Sequence, residues 1–207
     1  MEIERVLKPA GAFFLNVGNQ NKYPWLTNDI LSIARPLFNL QNNITWVKSV
    51  SIGEDSFGHF KPISSPRYLN NNHESIFHLT KNGDTPIDRL SVGVPYKYKS
   101  NIARFGAEGR ADKRCAGNVW YIPYTTTQSK EEKFNHPASF PLELAERCLK
   151  LHGVGNQVVL DPFLGSGTTL VAAARLGHRG IGIEIDPAYA AVAEARLKET
   201  MKKWESV

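Results

Sequence analysis

Apolar and polar residues alternate along this chain with the periods of strands and helices, and the clearest succession lies near its C-terminal end. Val158, Val159 and Leu160 form a short apolar run of the kind a parallel sheet buries on both faces. Gly165-Ser166-Gly167 follow, then a helical pattern over residues 170–176 that Gly177 closes. Residues 180–185 read as a second strand, ending in Glu184 and Asp186. A last helix, from Pro187 to about Trp204, places Tyr189, Val192, Ala193 and Leu197 on one face and Glu194, Lys198 and Glu199 on the other, so it covers the sheet. Upstream, residues 12–17 and 44–48 read as strands, and residues 142–149 as a helix. Ile76, His78 and Thr80 alternate with Phe77 and Leu79, which predicts a further strand.

The glycine turn between strand and helix carries chemistry. Glycines there let the backbone bend sharply beside a ligand, and Thr168 and Thr169 are placed to cap the following helix. Glu184 lies at the distance from those glycines at which a carboxylate takes the ribose hydroxyls of a nucleoside. A phosphate-gripping loop needs Gly-Lys-Ser/Thr, and this turn has no lysine. The dinucleotide fingerprint needs a third glycine where Leu170 stands, which disfavours NAD and leaves an NAD-dependent oxidoreductase as a minor alternative. S-adenosylmethionine, with no phosphate to hold, fits better.

The block from Asp161-Pro162-Phe163 to Thr169, preceded by His136-Pro137-Ala138-Ser139-Phe140-Pro141, resembles the paired cofactor motifs of the amino-group DNA methyltransferases whose cofactor region lies near the C-terminus. The likeness runs back through Ile44-Thr45-Trp46-Val47-Lys48 and His73-Glu74-Ser75-Ile76-Phe77 to Arg5-Val6-Leu7-Lys8-Pro9. It implies a class I, Rossmann-like α/β fold with circularly permuted motif order, and S-adenosylmethionine as cofactor. On this basis residues 1–207 are expected to form a single, partial methyltransferase domain, with a target-recognition insertion at 84–118 and a cofactor region at 134–207. The donor site is assigned to Asp161, Phe163, Gly165, Ser166, Gly167 and Thr168, with Glu184 and Asp186 at the ribose and His136, Pro137 and Phe140 on the methionine side. The acceptor is the exocyclic amino group of a base flipped out of duplex DNA. Val119-Trp120-Tyr121-Ile122-Pro123-Tyr124 is nearer to cytosine-N4 than to adenine-N6 members.

The family's catalytic Asp/Ser-Pro-Pro-Tyr motif has no counterpart: consecutive prolines occur nowhere in the 207 residues, and no residue is assigned the catalytic role. Ser64-Ser65-Pro66-Arg67-Tyr68 imitates it with arginine in place of the second proline and is read as a loop. In the family's sheet the strand bearing that motif lies between the strands at 158 and 12, so the fold is expected to lack its N-terminal strands, the central one included. Three alternatives follow: a fragment or truncated gene product, one half of a split enzyme whose second chain brings the missing strands, or a chain that pairs those two strands directly; an inactive remnant that holds DNA or cofactor without turnover stands beside them, and exposed strand edges favour a homo-oligomer.

Composition adds a nucleic-acid partner. The net charge is +5 and the pI about 9.2. Between residues 97 and 114 six basic residues, Lys97, Lys99, Arg104, Arg110, Lys113 and Arg114, face two acidic ones, Glu108 and Asp112, with Tyr96, Tyr98 and Phe105 interleaved. Such a stretch suits the phosphate backbone of double-stranded DNA, and Gly106, Gly109 and Gly117 argue for loop over long helix. Cys115 and Cys148 have no metal-type spacing, so no metal site is expected and a reduced, cytoplasmic setting is the default. No apolar run is long enough to span a membrane, and no secretory pattern opens the sequence. His73 and His78 are five apart on a strand, not four apart on a helix, so zinc-protease chemistry is excluded and His73 is read as a structural hydrogen-bonder. Trp46 and Lys48 are read as packing and rim.

Overall fold

In the computed structural model, residues 2–60, 63–105, 112–123, 140–153 and 155–205 are described. The span expected to be one domain contains two compact units, one of Met1–Pro86 with Ala116–Tyr124 and one of Ile87–Cys115 with Thr125–Val207. The segment 84–118 is thereby divided, its middle belonging to the second unit.

The first unit carries α1 (Glu2–Val6), β1 (Ala12–Gly18), α2 (Leu26–Ala34), β2 (Asn39–Val47), β3 (Ser49–Ile52), β4 (Asp55–Gly58) and β5 (His73–Thr80); β6 (Val119–Tyr121) completes it. Its sheet runs β1-β5-β2-β6, antiparallel except for the parallel β2–β6 pair. Alternation decides the faces. Phe13, Leu15 and Val17 of β1 and Phe77 and Leu79 of β5 pack with Ile3, Leu7, Ile30, Leu31, Ala34 and Phe38 from the helical side. The opposite face buries Ile44, Trp46, Ile76, His78, Thr80 and Trp120. Burial there requires partners for the polar atoms: Trp46 Nε1 donates to the Ile122 carbonyl (2.8 Å), Asn42 Nδ2 lies 2.9 Å from His78 Nδ1, and the His78 ring stacks on Phe14 at 4.7 Å.

Here the buried hydrogen-bonding histidine is His78; His73, given that role above, is exposed at the strand's start. Trp46 and Lys48 do act as packing and rim, the Lys48 ammonium pairing with Glu74 at 3.0 Å. The Ser64–Tyr68 stretch lies in a loop, as expected. Sequence pattern missed the β3–β4 hairpin and the first half of β2, because Asn39, Gln41, Asn42 and Asn43 hide the strand period.

The second unit carries α3 (Ser100–Phe105), α4 (Leu142–Lys150), β7 (Val158–Asp161), α5 (Thr168–Arg175), β8 (Arg179–Gly182) and α6 (Pro187–Glu205). β7 and β8 are parallel, with α5 as the crossover. Leu170, Val171, Ala172 and Ala173 of α5 are buried, α5 packs on both strands, and α4 and α6 pack on α5. Gly180 and Gly182 make that close approach feasible, since a Cβ at either would lie 2.5–2.6 Å from Leu170 or Leu164 side-chain carbons. The opposite face of the pair is open: Val158, Leu160, Ile181 and Ile183 are all exposed. This corrects the expectation of a strand buried on both faces, because among the described residues helices cover the pair on the glycine side. The second strand is also shorter than residues 180–185: β8 ends at Gly182, followed by one backbone bond from the Ile183 N–H to the Asp161 carbonyl (2.9 Å). β1 is the last strand of the four-stranded sheet, and among the described residues β7 pairs with β8.

Cys148, inside the α4 face beside Leu144 and Ala145, has its pKa pushed up by burial to about 12. In the unfolded chain a thiol ionises near about 8.5. The contribution of Cys148 to stability is therefore complete below about pH 8.5 and is lost as pH rises through that value toward 12. We expect a disulfide reagent at pH 8 to modify the exposed Cys115 quickly and Cys148 only on unfolding; two fast thiols in the native chain would contradict the packing.

Candidate functional site

The turn between β7 and α5 is held from two sides. Gly165 and Gly167 both take positive φ, 54° and 84°, on either side of the buried Ser166. From beyond β8, the Glu184 carboxylate accepts the Gly165 N–H (2.6 Å) with one oxygen and the Asp186 N–H (2.9 Å) with the other, which fixes its orientation. From α6, the Arg196 guanidinium donates to the Ser166 carbonyl (2.5 Å), the Ser166 hydroxyl (3.1 Å) and the Thr168 hydroxyl (3.2 Å). Desolvation lowers the pKa of this half-buried arginine from its ordinary value.

Several residues assigned from sequence have local duties here. Thr168 does not cap α5: Gly167 occupies the cap position, no side chain caps the helix, and the Thr168 hydroxyl faces Arg196. Asp186 precedes Pro187, the first residue of α6, and its carboxylate accepts the Ala188 N–H (2.8 Å), a helix cap. Asp161 accepts the Phe163 N–H (3.0 Å), which shapes the chain as it leaves β7. Phe163 itself is 86% exposed, and Ile185, which the sequence reading passed over, is 98% exposed. Its signal was present in the Ile181, Ile183, Ile185 alternation, whose last member stands beside Glu184. Arg196 carried no such signal, since its partners lie about thirty residues away in a different element.

The turn thus has an acceptor-only carboxylate, and Phe163 and Ile185 are apolar side chains open to solvent near it in the chain. That set fits a ligand with a hydroxylated sugar and a flat ring, while the cation at the turn, Arg196, is engaged by Ser166 and Thr168. Of the other assigned residues, His136 and Pro137 lie outside the described residues; Phe140 is half-buried ahead of Pro141, the proline that adjoins the start of α4. Among the described residues no group of His, Cys, Asp or Glu is arranged to hold a metal ion, and no helix is long and apolar enough to cross a membrane.

The basic segment of the second unit is partly organised. An antiparallel bridge joins Val94 to Arg114, and the Asp112 carboxylate pairs with the Lys99 ammonium and accepts the Tyr96 N–H (3.3 Å). Lys97 lies over the Tyr98 ring at 5.5 Å, so Lys97, Tyr98, Lys99, Lys113 and Arg114 are exposed on strands of chain tied together. Arg110 is outside the described residues, and Arg104 is placed only by its backbone in α3.

Residues 1–195 match the DNA methylase family of N6 and N4 type. The chain is 31% identical over 208 residues to the type II methyltransferase M.ScaI of Streptomyces caespitosus, covering 95% of this chain and 64% of that protein. Its fold is similar to that of PvuII DNA methyltransferase (cytosine-N4-specific), with a TM-score of 0.65, 18% identity, and coverage of 97% of this chain and 71% of that one. It is similar as well to a DNA modification methylase of Thermus thermophilus complexed with S-adenosyl-L-methionine, with a TM-score of 0.62, 28% identity, and coverage of 96% of this chain and 73% of that one. The chain spans about three fifths of the length of the curated relatives it matches, 58–64% for the first of them.

Proposed function

The chain belongs to the N6/N4 DNA methylase family, and we propose that it is a site-specific DNA methyltransferase, or the C-terminal part of one, acting on an exocyclic amino group with S-adenosylmethionine as donor. The observation that carries this reading is Glu184, a carboxylate oriented by two backbone N–H groups beside a glycine turn, with Phe163 and Ile185 exposed in the adjoining chain. Glu184 would take the ribose hydroxyls, the two apolar side chains would flank the adenine, and the segment from His136 to Phe140 would lie toward the methionine end. When bound, S-adenosylmethionine supplies an electrophilic methyl group on a sulfonium.

Ser166 and Thr168 act in this site through their backbone, their hydroxyls being engaged by Arg196. Lys97, Lys99, Lys113 and Arg114 would meet DNA phosphates, with Arg104 and Arg110 completing the basic segment. Placement of the flipped base in line with the methyl group is the main requirement of the reaction, and no residue of this chain is assigned to hold the reacting nitrogen. Between acceptors, cytosine-N4 is preferred to adenine-N6, on the 119–124 block.

A second reading is favoured by one observation, the lack of consecutive prolines anywhere in the 207 residues: a chain that binds DNA and S-adenosylmethionine without turnover unless a second chain completes it. Incubation of the pure chain with labelled S-adenosylmethionine and unmethylated duplex DNA separates the two. Incorporation, recovered as N4-methylcytosine, supports the enzyme; cofactor binding with no incorporation supports the second reading. Saturable NAD binding with no response to S-adenosylmethionine would overturn both.

A further inference from the structure

We propose that Arg196 is a positioning residue that holds the glycine turn in the one conformation able to receive the cofactor; this rests on the donor site proposed above. Glycines at 165 and 167 leave Ser166 between two backbone positions with access to several conformations, so the turn needs an outside restraint. Glu184 restrains the Gly165 N–H, and Arg196 restrains the Ser166 carbonyl from the opposite side, while also taking the Ser166 and Thr168 hydroxyls. The peptide before Gly165 and the peptide after Ser166 are then each tied to a charged side chain. A residue that served only helix α5 would be acidic, because a helix N-terminus carries positive partial charge, and a guanidinium there is electrostatically unfavourable. All three contacts are made by one nitrogen, Nη1, so three acceptors of one turn converge on one end of the guanidinium. It reaches them from α6 because Ala193, one turn earlier on the same helix, packs against Gly167 where a Cβ would lie 2.7 Å from the Ala193 Cβ. A ligand that docks on Glu184 thereby meets a turn already ordered, and the cost of ordering it is not taken from the binding energy.

The test uses the full chain with S-adenosylmethionine in calorimetry, thermal unfolding, and hydrogen exchange at residues 165–168. For Arg196→Met the dissociation constant should rise about 10- to 100-fold, the loss of charge-assisted hydrogen bonds, with faster exchange at residues 165–168 and unchanged exchange in β7 and the rest of α5. Arg196→Lys should recover part of the affinity, because an ammonium also presents several N–H donors from one nitrogen. Should Arg196→Met fail to fold, Ser166→Ala combined with Thr168→Val removes two of the acceptors and should weaken binding by a smaller factor. Wild-type affinity in the folded Arg196→Met chain, or a lowered melting temperature with no change in affinity, would overturn the proposal. If the unaltered chain binds no S-adenosylmethionine, the donor-site reading fails instead; the clamp is then judged by exchange alone, and unchanged exchange at 165–168 in Arg196→Met overturns it too.

Discussion

Replacing Glu184 by alanine is expected to raise the dissociation constant for S-adenosylmethionine by about 10- to 100-fold, the scale of losing a hydrogen-bonding charge from a partly buried site. Two effects combine. The side chain assigned to the sugar hydroxyls is gone, and the N–H groups of Gly165 and Asp186 lose the acceptor that orders the turn and the start of α6. Glu184→Gln separates them. Its amide oxygen can still accept one N–H, so turn order should survive in part, whereas the charged acceptor for a diol is lost. Calorimetry on the three chains decides, and an alanine variant that binds as tightly as the original removes the site from this part of the fold.

A large stability loss is expected at Gly167→Ala. The backbone there has φ of 84°, which costs an L-residue roughly 1–2 kcal/mol. The added Cβ would also lie 2.7 Å from the Ala193 Cβ and 3.0 Å from its Cα, atoms of a helix backbone that cannot rotate aside. Overpacking of that kind adds about 1–3 kcal/mol. Gly153→Ala is the control, since φ is 93° but nothing lies within 4 Å of the new carbon, so only the conformational part should be lost. Urea unfolding of both variants measures the difference; equal losses would mean that the approach of α6 to the turn contributes nothing.

These two residues also mark how far the chain could be read without coordinates. Glycines after an apolar run and a carboxylate at the far end of the next one are local patterns. Their chemistry follows from spacing, and the turn, α5 and the acidic position all appear where the pattern places them. The α6 stripe was equally legible, with Ala193 buried and Glu194 and Lys198 paired at the surface. Less was visible for Ser166, Thr168 and Asp186, because spacing says which groups are near a turn but not which of their hydrogen bonds are already taken.

By itself the sequence determined the succession from β7 to α6, the glycine elbow, the family resemblance and the concentration of positive charge, since each depends on residues close together along the chain. Tertiary structure decided the rest: the strand order β1-β5-β2-β6, the separate β7–β8 pair with one open apolar face, and the grip of Arg196 on a turn about thirty residues away. The physical reason is that burial and hydrogen-bond partners are set by what packs from elsewhere in the chain, and no local period encodes the element that arrives.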